Sequence, residues 1–221
     1  MWRAQIEALE SAGLAVTAPD LPGHGARMTE RFTLERAIAT IDGAVAAAPG
    51  ETYLCGFSLG GYLSLHWAGL EPRPVTGLLA ASCGTTPYMA GLETWRIAAK
   101  AFHRLPDKGR WFNDFAVRLA VRDPLLADDV LRGGVALDVM DDALRELRPL
   151  RPIESLRRIE QPVLLVNGTF DHFRMQERAY LRAARDARLV HVPGATHMVS
   201  LTRSRAFTDL LLDAVGRVLV R

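Results

Sequence analysis

Three residues of this chain have the types and the placement to do acyl-transfer chemistry: Ser58, Asp171 and His197. Ser58 stands in Gly56-Phe57-Ser58-Leu59-Gly60, after an apolar strand-like run, Thr52-Tyr53-Leu54-Cys55, and before a helix-like run over 61–68. A serine at the apex of a sharp strand-to-helix turn is held in a strained backbone conformation, so the residues two before and two after it must be small. Gly56 and Gly60 are expected to meet that need, and Gly61 to let the helix start close to the strand. The hydroxyl then stands at a helix N-terminus, where free N–H groups and the dipole favour developing negative charge. The plainer alternative is a glycine-rich turn with an incidental serine, and the other two residues weigh against it.

A serine hydroxyl is a poor nucleophile at neutral pH until a base takes its proton, and that base must be held in one tautomer by an acid. Asp171 follows Asn167-Gly168-Thr169-Phe170, in the loop directly after an apolar strand at 162–167. His197 ends Pro193-Gly194-Ala195-Thr196-His197, in the loop directly after a strand at 188–192. Ser, Asp and His in three strand-end loops, in that chain order, define one particular serine-nucleophile arrangement. The remaining histidines have plainer readings: His24 braces a loop, His66 is packed on the helix after Ser58, and His103 lies in a helical insertion. His172 is expected to point away from Asp171, and His191 sits inside a strand. No pair has metal-ligand spacing and no phosphate loop is present, so neither a metal nor a nucleotide cofactor is implied.

These residues need elements to carry them. Helical spacing over 2–12 ends at Gly13, and Leu14-Ala15-Val16-Thr17-Ala18 reads as a short strand. Pro19 to Gly25 is dense in breakers and reads as a loop. Thr33 is placed to cap a helix over 34–47. Strands at 75–81, 162–167 and 188–192 alternate with helices at 174–186 and 202–219. Short apolar strands alternating with helices predict an α/β fold, a mostly parallel sheet with helices on both faces and the chemistry at the C-terminal ends of the strands. Residues 84–155 break the alternation with helix-like pieces and no clear strand. The expected organisation is therefore a core of 1–83 and 156–221 with a helical cap at 84–155, whose Trp95, Phe102, Trp111 and Phe112 are candidates to line a substrate pocket.

The composition fits one domain with an insertion: 221 residues, 49% hydrophobic. A net charge of +2 gives no electrostatic reason to expect nucleic acid or an anionic membrane as partner. Two cysteines, Cys55 and Cys83, make no disulfide framework and are expected to be free thiols. The sequence shows no signal-peptide pattern and no apolar run of the ~20 residues that span a bilayer, so a cytoplasmic location is expected.

Taken together, Ala18-Pro19-Asp20-Leu21-Pro22-Gly23-His24-Gly25, the turn at 56–60, Gly168-Thr169-Phe170-Asp171 and Gly194-Ala195-Thr196-His197 resemble the α/β-hydrolase superfamily, specifically its serine-nucleophile members with a helical cap. The resemblance implies Ser58 as nucleophile, His197 as general base and acid, Asp171 as the orienting acid, and a small-molecule acyl substrate with no cofactor. Dehalogenase-like and epoxide-hydrolase-like members carry aspartate where this chain has Ser58.

An acyl transfer also needs an oxyanion hole. The N–H of Leu59 is expected to be one donor. The family's second donor comes from a loop after an earlier strand, and neither has a counterpart here: Met1-Trp2 matches the helix that follows that loop. Either the sequence begins at an internal methionine, or the strands at 14–18 and 52–56 pair directly. A gap in mid-sheet conflicts with the otherwise complete pattern and favours the first. The expected activity is hydrolysis of a carboxylic ester or thioester through an acyl-enzyme, by a site that serves amides, lactones and carbon–carbon bonds equally. A non-catalytic or impaired ligand-binding member of the fold is the alternative.

Overall fold

The computed structural model of the chain describes residues 1–87, 97, 104–105, 107, 109–121, 123–132 and 139–219. They divide into two compact units, one of 2–18, 41–86 and 150–221, the other of Met1, 19–40 and 87–149.

The first unit is built on a parallel sheet, β1 (Tyr53–Phe57), β2 (Gly77–Ala81), β3 (Val163–Gly168) and β4 (Ala187–Val192), in that spatial order. The register sets Phe57 beside Ala81, Ala81 beside Val166, and Gly168 beside Val192. The segments that leave β1, β2, β3 and β4 therefore emerge side by side at one edge. β2 and β3 are buried along their whole length, because helices cover both faces and every side chain of an interior parallel strand is removed from water. On one face Phe57, Leu79, Ala81, Leu164 and Val166 pack with Phe207 and Leu211 of a C-terminal helix, with Leu9 of α1 (Arg3–Ser11) and with Trp2 just before it. Deleting a buried leucine side chain such as that of Leu79 costs about 2–5 kcal/mol. On the other face α3 (Leu59–Leu70) packs against β1, β2 and a helix at Pro152–Arg158.

Several expected elements are redrawn. Residues 14–18 are not a strand: Leu14 and Val16 are half-buried, the Leu14 N–H donates back to the Leu9 carbonyl at 3.0 Å, and no strand among the described residues pairs with this segment. Direct pairing of 14–18 with β1 is thereby ruled out, and β2 is the strand bonded to β1 among the described residues. The helix expected at 174–186 starts at Glu177 and ends at Ala183. Its first expected residues are committed elsewhere: the Met175 N–H donates to Thr85 Oγ1 at 3.1 Å and the Gln176 N–H to the Gly84 carbonyl at 2.8 Å, while the Phe173 N–H just before them donates to Asp171 Oδ1 at 2.8 Å. The terminal helix is two, Val199–Thr202 and Ser204–Leu219, broken at Arg203. Buried Gln5 of α1 ties the second of these down, its Nε2 donating to Thr208 Oγ1 at 3.0 Å and Ser204 Oγ at 3.1 Å.

The second unit holds a braced loop at 19–33, the N-terminal part of α2 (Leu34–Ala46), α4 (Arg110–Ala120), α5 (Pro124–Arg132) and α6 (Met140–Leu147). Asp20 Oδ2 accepts the Ala26 N–H at 2.8 Å, and the Arg27 guanidinium grips both oxygens of Glu30 at 2.7 Å. His24 Nδ1 lies 3.0 Å from the Pro22 carbonyl, a loop-bracing contact as expected. Thr33 Oγ1 accepts the Arg36 N–H at 3.3 Å, capping α2. No described helix is long and apolar enough to cross a membrane.

Candidate active site

Ser58 follows the last residue of β1 and precedes α3, with φ 50° and ψ −114°. That left-handed φ is unfavourable for a residue with a Cβ and needs support from its surroundings. The support is specific. The Ser58 N–H donates to the Ala81 carbonyl of β2 at 2.8 Å, and its own carbonyl accepts the Tyr62 N–H at 3.0 Å, so a sheet bond and a helix bond meet at one residue. The turn also needs close approach. A Cβ at Gly56 would lie 2.4 Å from the Gly60 carbonyl oxygen and 2.5 Å from Ser64 Oγ, and one at Gly61 would lie 2.8 Å from Cys83 Sγ. Gly60 differs from expectation: a Cβ there would meet nothing within 4 Å. The space is short at Gly56 and Gly61 and open at Gly60.

The loops after β3 and β4 are stitched together. The Phe170 N–H donates to the Ala195 carbonyl at 2.9 Å, the Gly194 N–H to Thr169 Oγ1 at 3.0 Å, and Gly168 comes so close to the second loop that a Cβ would lie 2.4 Å from the Thr196 carbonyl oxygen. This brings the three residues singled out in the sequence into one line. Ser58 Oγ lies 3.0 Å from His197 Nε2, and His197 Nδ1 lies 3.1 Å from Asp171 Oδ1. With the proton on Nδ1, the imidazole donates to the carboxylate and accepts from the serine hydroxyl.

Asp171 is 4% exposed. Burial pushes its carboxyl up, but the hydrogen bond and charge of His197, with help from the Phe173 N–H, hold it below the ordinary carboxylate range. The His197 ring is walled by Phe57 at 5.3 Å, Phe173 at 4.9 Å and His172 at 5.2 Å between ring centroids. His172 therefore does not point elsewhere. Burial first, and then the neighbouring His197, lower its pKa, with Asp171 opposing.

The acid-bearing loop has an anchor that sequence reasoning missed. Arg174 Nη1 donates to the Thr169 carbonyl at 2.8 Å, while its Nε and Nη2 reach Glu177 Oε1 at 3.2 and 2.9 Å. Glu177 is buried and also takes Asn167 Nδ2 of β3 at 2.9 Å and His191 Nε2 of β4 at 3.0 Å. Burial raises its carboxyl and these donors, Arg174 foremost, bring it below its ordinary value. Arg and Glu three apart at the start of a helix are the visible signal, but they read as an ordinary surface pair.

Of the four expected pocket residues, Trp95 and Phe102 lie outside the described residues. Trp111 and Phe112 lie on α4, 72% and 47% exposed, with Trp111 stacked on Phe115. Both cysteines are free, and burial pushes the Cys55 thiol up to about 12 and that of Cys83 up as well. Among the described residues no group of three or more His, Cys, Asp or Glu is placed to hold a metal ion.

Comparison with known proteins bears on the family and the fold. The profile of the Alpha/beta hydrolase family matches residues 1–210. The pimeloyl-[acyl-carrier protein] methyl ester esterase of Aromatoleum aromaticum is 27% identical over 97% of this chain and 92% of its own length. The dihydrolipoyllysine-residue acetyltransferase component of the acetoin cleaving system of Pseudomonas putida is 32% identical over 89% of this chain, which spans 55% of that protein. Among solved structures, a thermophilic esterase from Thermogutta terrifontis superposes with a TM-score of 0.78 at 21% identity, covering 98% of this chain and 85% of that one. The enol-lactonase from Burkholderia xenovorans does so at 0.72 and 19% identity, covering 98% and 86%.

Proposed function

Since this chain belongs to the alpha/beta hydrolase family, we propose that it hydrolyses carboxylic esters or thioesters through an acyl-enzyme on Ser58. The observation that carries this reading is the hydrogen-bonded line from Ser58 Oγ through His197 to Asp171, with the serine held at a positive φ at the head of α3. In the proposed cycle Ser58 Oγ attacks the carbonyl carbon as His197 Nε2 takes its proton. The buried Asp171 carboxylate stabilises the imidazolium that forms. The tetrahedral oxyanion is placed against the N–H of Leu59, the first residue of α3, where the helix end favours negative charge. His197 then gives its proton to the leaving alkoxide or thiolate. Water deprotonated by the same nitrogen attacks the acyl-enzyme, and the proton returns to Ser58 as the acid leaves.

Methyl esters are the first substrates to try, because relatives of this chain carry the name pimeloyl-[acyl-carrier protein] methyl ester esterase. Residues 84–155 are proposed as the cap, with Trp95, Phe102, Trp111 and Phe112 contributing to acyl selection.

The test is labelling of the full chain with a fluorophosphonate, followed by turnover of a panel of methyl, p-nitrophenyl and thioester substrates. Labelling that disappears in Ser58→Ala supports the reading. A folded protein that neither labels nor turns over any member of the panel overturns it in favour of a ligand-binding member of the fold.

A further inference from the structure

Among the described residues, two that are not glycine hold a positive φ: Ser58 at 50° and Ser82 at 53°. Left-handed backbone at a residue with a Cβ persists only where the surroundings over-determine it, and such outliers gather where a side chain has a task. Under the reading above, on which this inference rests, Ser58 has one. Ser82 has had none.

Ser82 is completely buried and follows directly on β2. Because Phe57 pairs with Ala81, the two serines leave adjacent parallel strands at the same level. The Ser82 N–H donates to the Val166 carbonyl of β3 at 2.9 Å, which fixes its backbone from the far side. Its hydroxyl crosses to the loop after β4 and donates to the main-chain carbonyl of His197 at 2.8 Å. The same carbonyl accepts the Val199 N–H at 2.8 Å, so the backbone of His197 is gripped from two directions. The Ser82 oxygen also neighbours the Asp171 carboxyl, whose Oδ2 is buried and has no donor among the described residues while the hydroxyl is turned to His197.

We propose that Ser82 is a positioning residue for the reaction: its hydroxyl fixes the main chain of His197 so that one imidazole meets Ser58 and Asp171 together. Serine is the side chain this place requires. Glycine would take the φ without strain but bring no hydroxyl, and alanine would keep the strain and bring none either. The left-handed turn aims the Ser82 hydroxyl toward the histidine loop, so the strain and the hydrogen bond are one device.

The experiment uses the full chain with Ser82→Gly and Ser82→Ala, and it measures fluorophosphonate labelling, thermal melting, and kcat and KM on a short p-nitrophenyl ester. Both variants are expected to lose about tenfold or more in kcat with KM within about twofold, since displacement of a base by a fraction of an ångström acts on the chemical step. Ser82→Gly is expected to melt higher than Ser82→Ala, because it relieves the backbone. The kcat loss would then not follow stability, which a merely structural serine could not produce. Wild-type kcat in Ser82→Gly, or a loss confined to the variant that melts lower, overturns the inference while the labelling of wild type keeps the hydrolase reading. A wild type that does not label overturns both.

Discussion

The Ser58 N–H donates to the carbonyl of Ala81 at 2.8 Å, so the apex of the turn is bonded to the neighbouring strand one residue before Ser82. The proposed nucleophile is thus not on a free loop. It is fastened to β2, and β2 is fastened through Ser82 to the loop that carries His197. Truncating the hydroxyl leaves these backbone bonds in place. Ser58→Ala is expected to keep the wild-type melting temperature within a few degrees and to lose kcat by about 10⁴-fold or more, read by ester turnover and by fluorophosphonate labelling.

Gly56 and Gly60 flank Ser58 symmetrically in sequence and asymmetrically in space. Gly56→Ala drives a methyl group against the Gly60 carbonyl and Ser64 Oγ, and is expected to cost about 2–3 kcal/mol of stability as overpacking. Gly60→Ala adds a methyl to open space inside a helix, and is expected to be neutral or to add about 0.5–1 kcal/mol. Denaturant unfolding of the two variants measures the difference directly. Equal effects would contradict this account of the turn.

Asp171 supplies both orientation and a pH dependence. Its folded-state pKa is depressed, so its contribution to stability is fully present above the ordinary carboxylate value of about 3.9 and is lost as pH falls below that through the folded value. Unfolding measured from pH 6 down to pH 2 is expected to show this loss beginning near pH 4, and Asp171→Asn is expected to flatten that part of the curve. The same variant is expected to lower kcat by about 10³–10⁴-fold with the protein folded, because an amide can present its N–H to the imidazole and select the wrong tautomer.

Glu177 holds Arg174, and Arg174 holds the carbonyl of Thr169 two residues before Asp171. Glu177→Gln leaves a half-buried guanidinium without its charge partner. It is expected to destabilise the chain by about 3 kcal/mol, seen as a lower melting temperature. Arg174→Lys keeps the charge and loses the planar fork that reaches Thr169 and Glu177 at once, so it is expected to recover only part of the wild-type stability.

Much of the architecture is legible from local pattern. The apolar runs over 75–81 and 162–167 are strands because they are buried on both faces, and burial on both faces writes itself as uninterrupted apolar sequence. Residues 14–18 carry a similar pattern and are not a strand, since a strand is a relation between two segments and no partner stands beside this one among the described residues. Residues 174–176 have helical composition, yet hydrogen bonds to Thr169, Thr85 and Gly84 hold them in a loop.

The sequence by itself determined the chemistry on offer: a serine in a tight turn, then an aspartate and a histidine, each just past an apolar strand. Chain order and strand ends suffice for that, because parallel strands in sequential order bring their following loops to one edge. Only the tertiary structure decided which glycine the turn cannot do without, that His172 stands against His197, and that Ser82 adopts a left-handed φ with its hydroxyl on the His197 carbonyl. The last of these depends on atoms of residues 115 positions apart meeting at 2.8 Å, within the reach of a hydrogen bond. A linear pattern records the type of a residue and its neighbours along the chain, and the space left between packed loops is a property of neither.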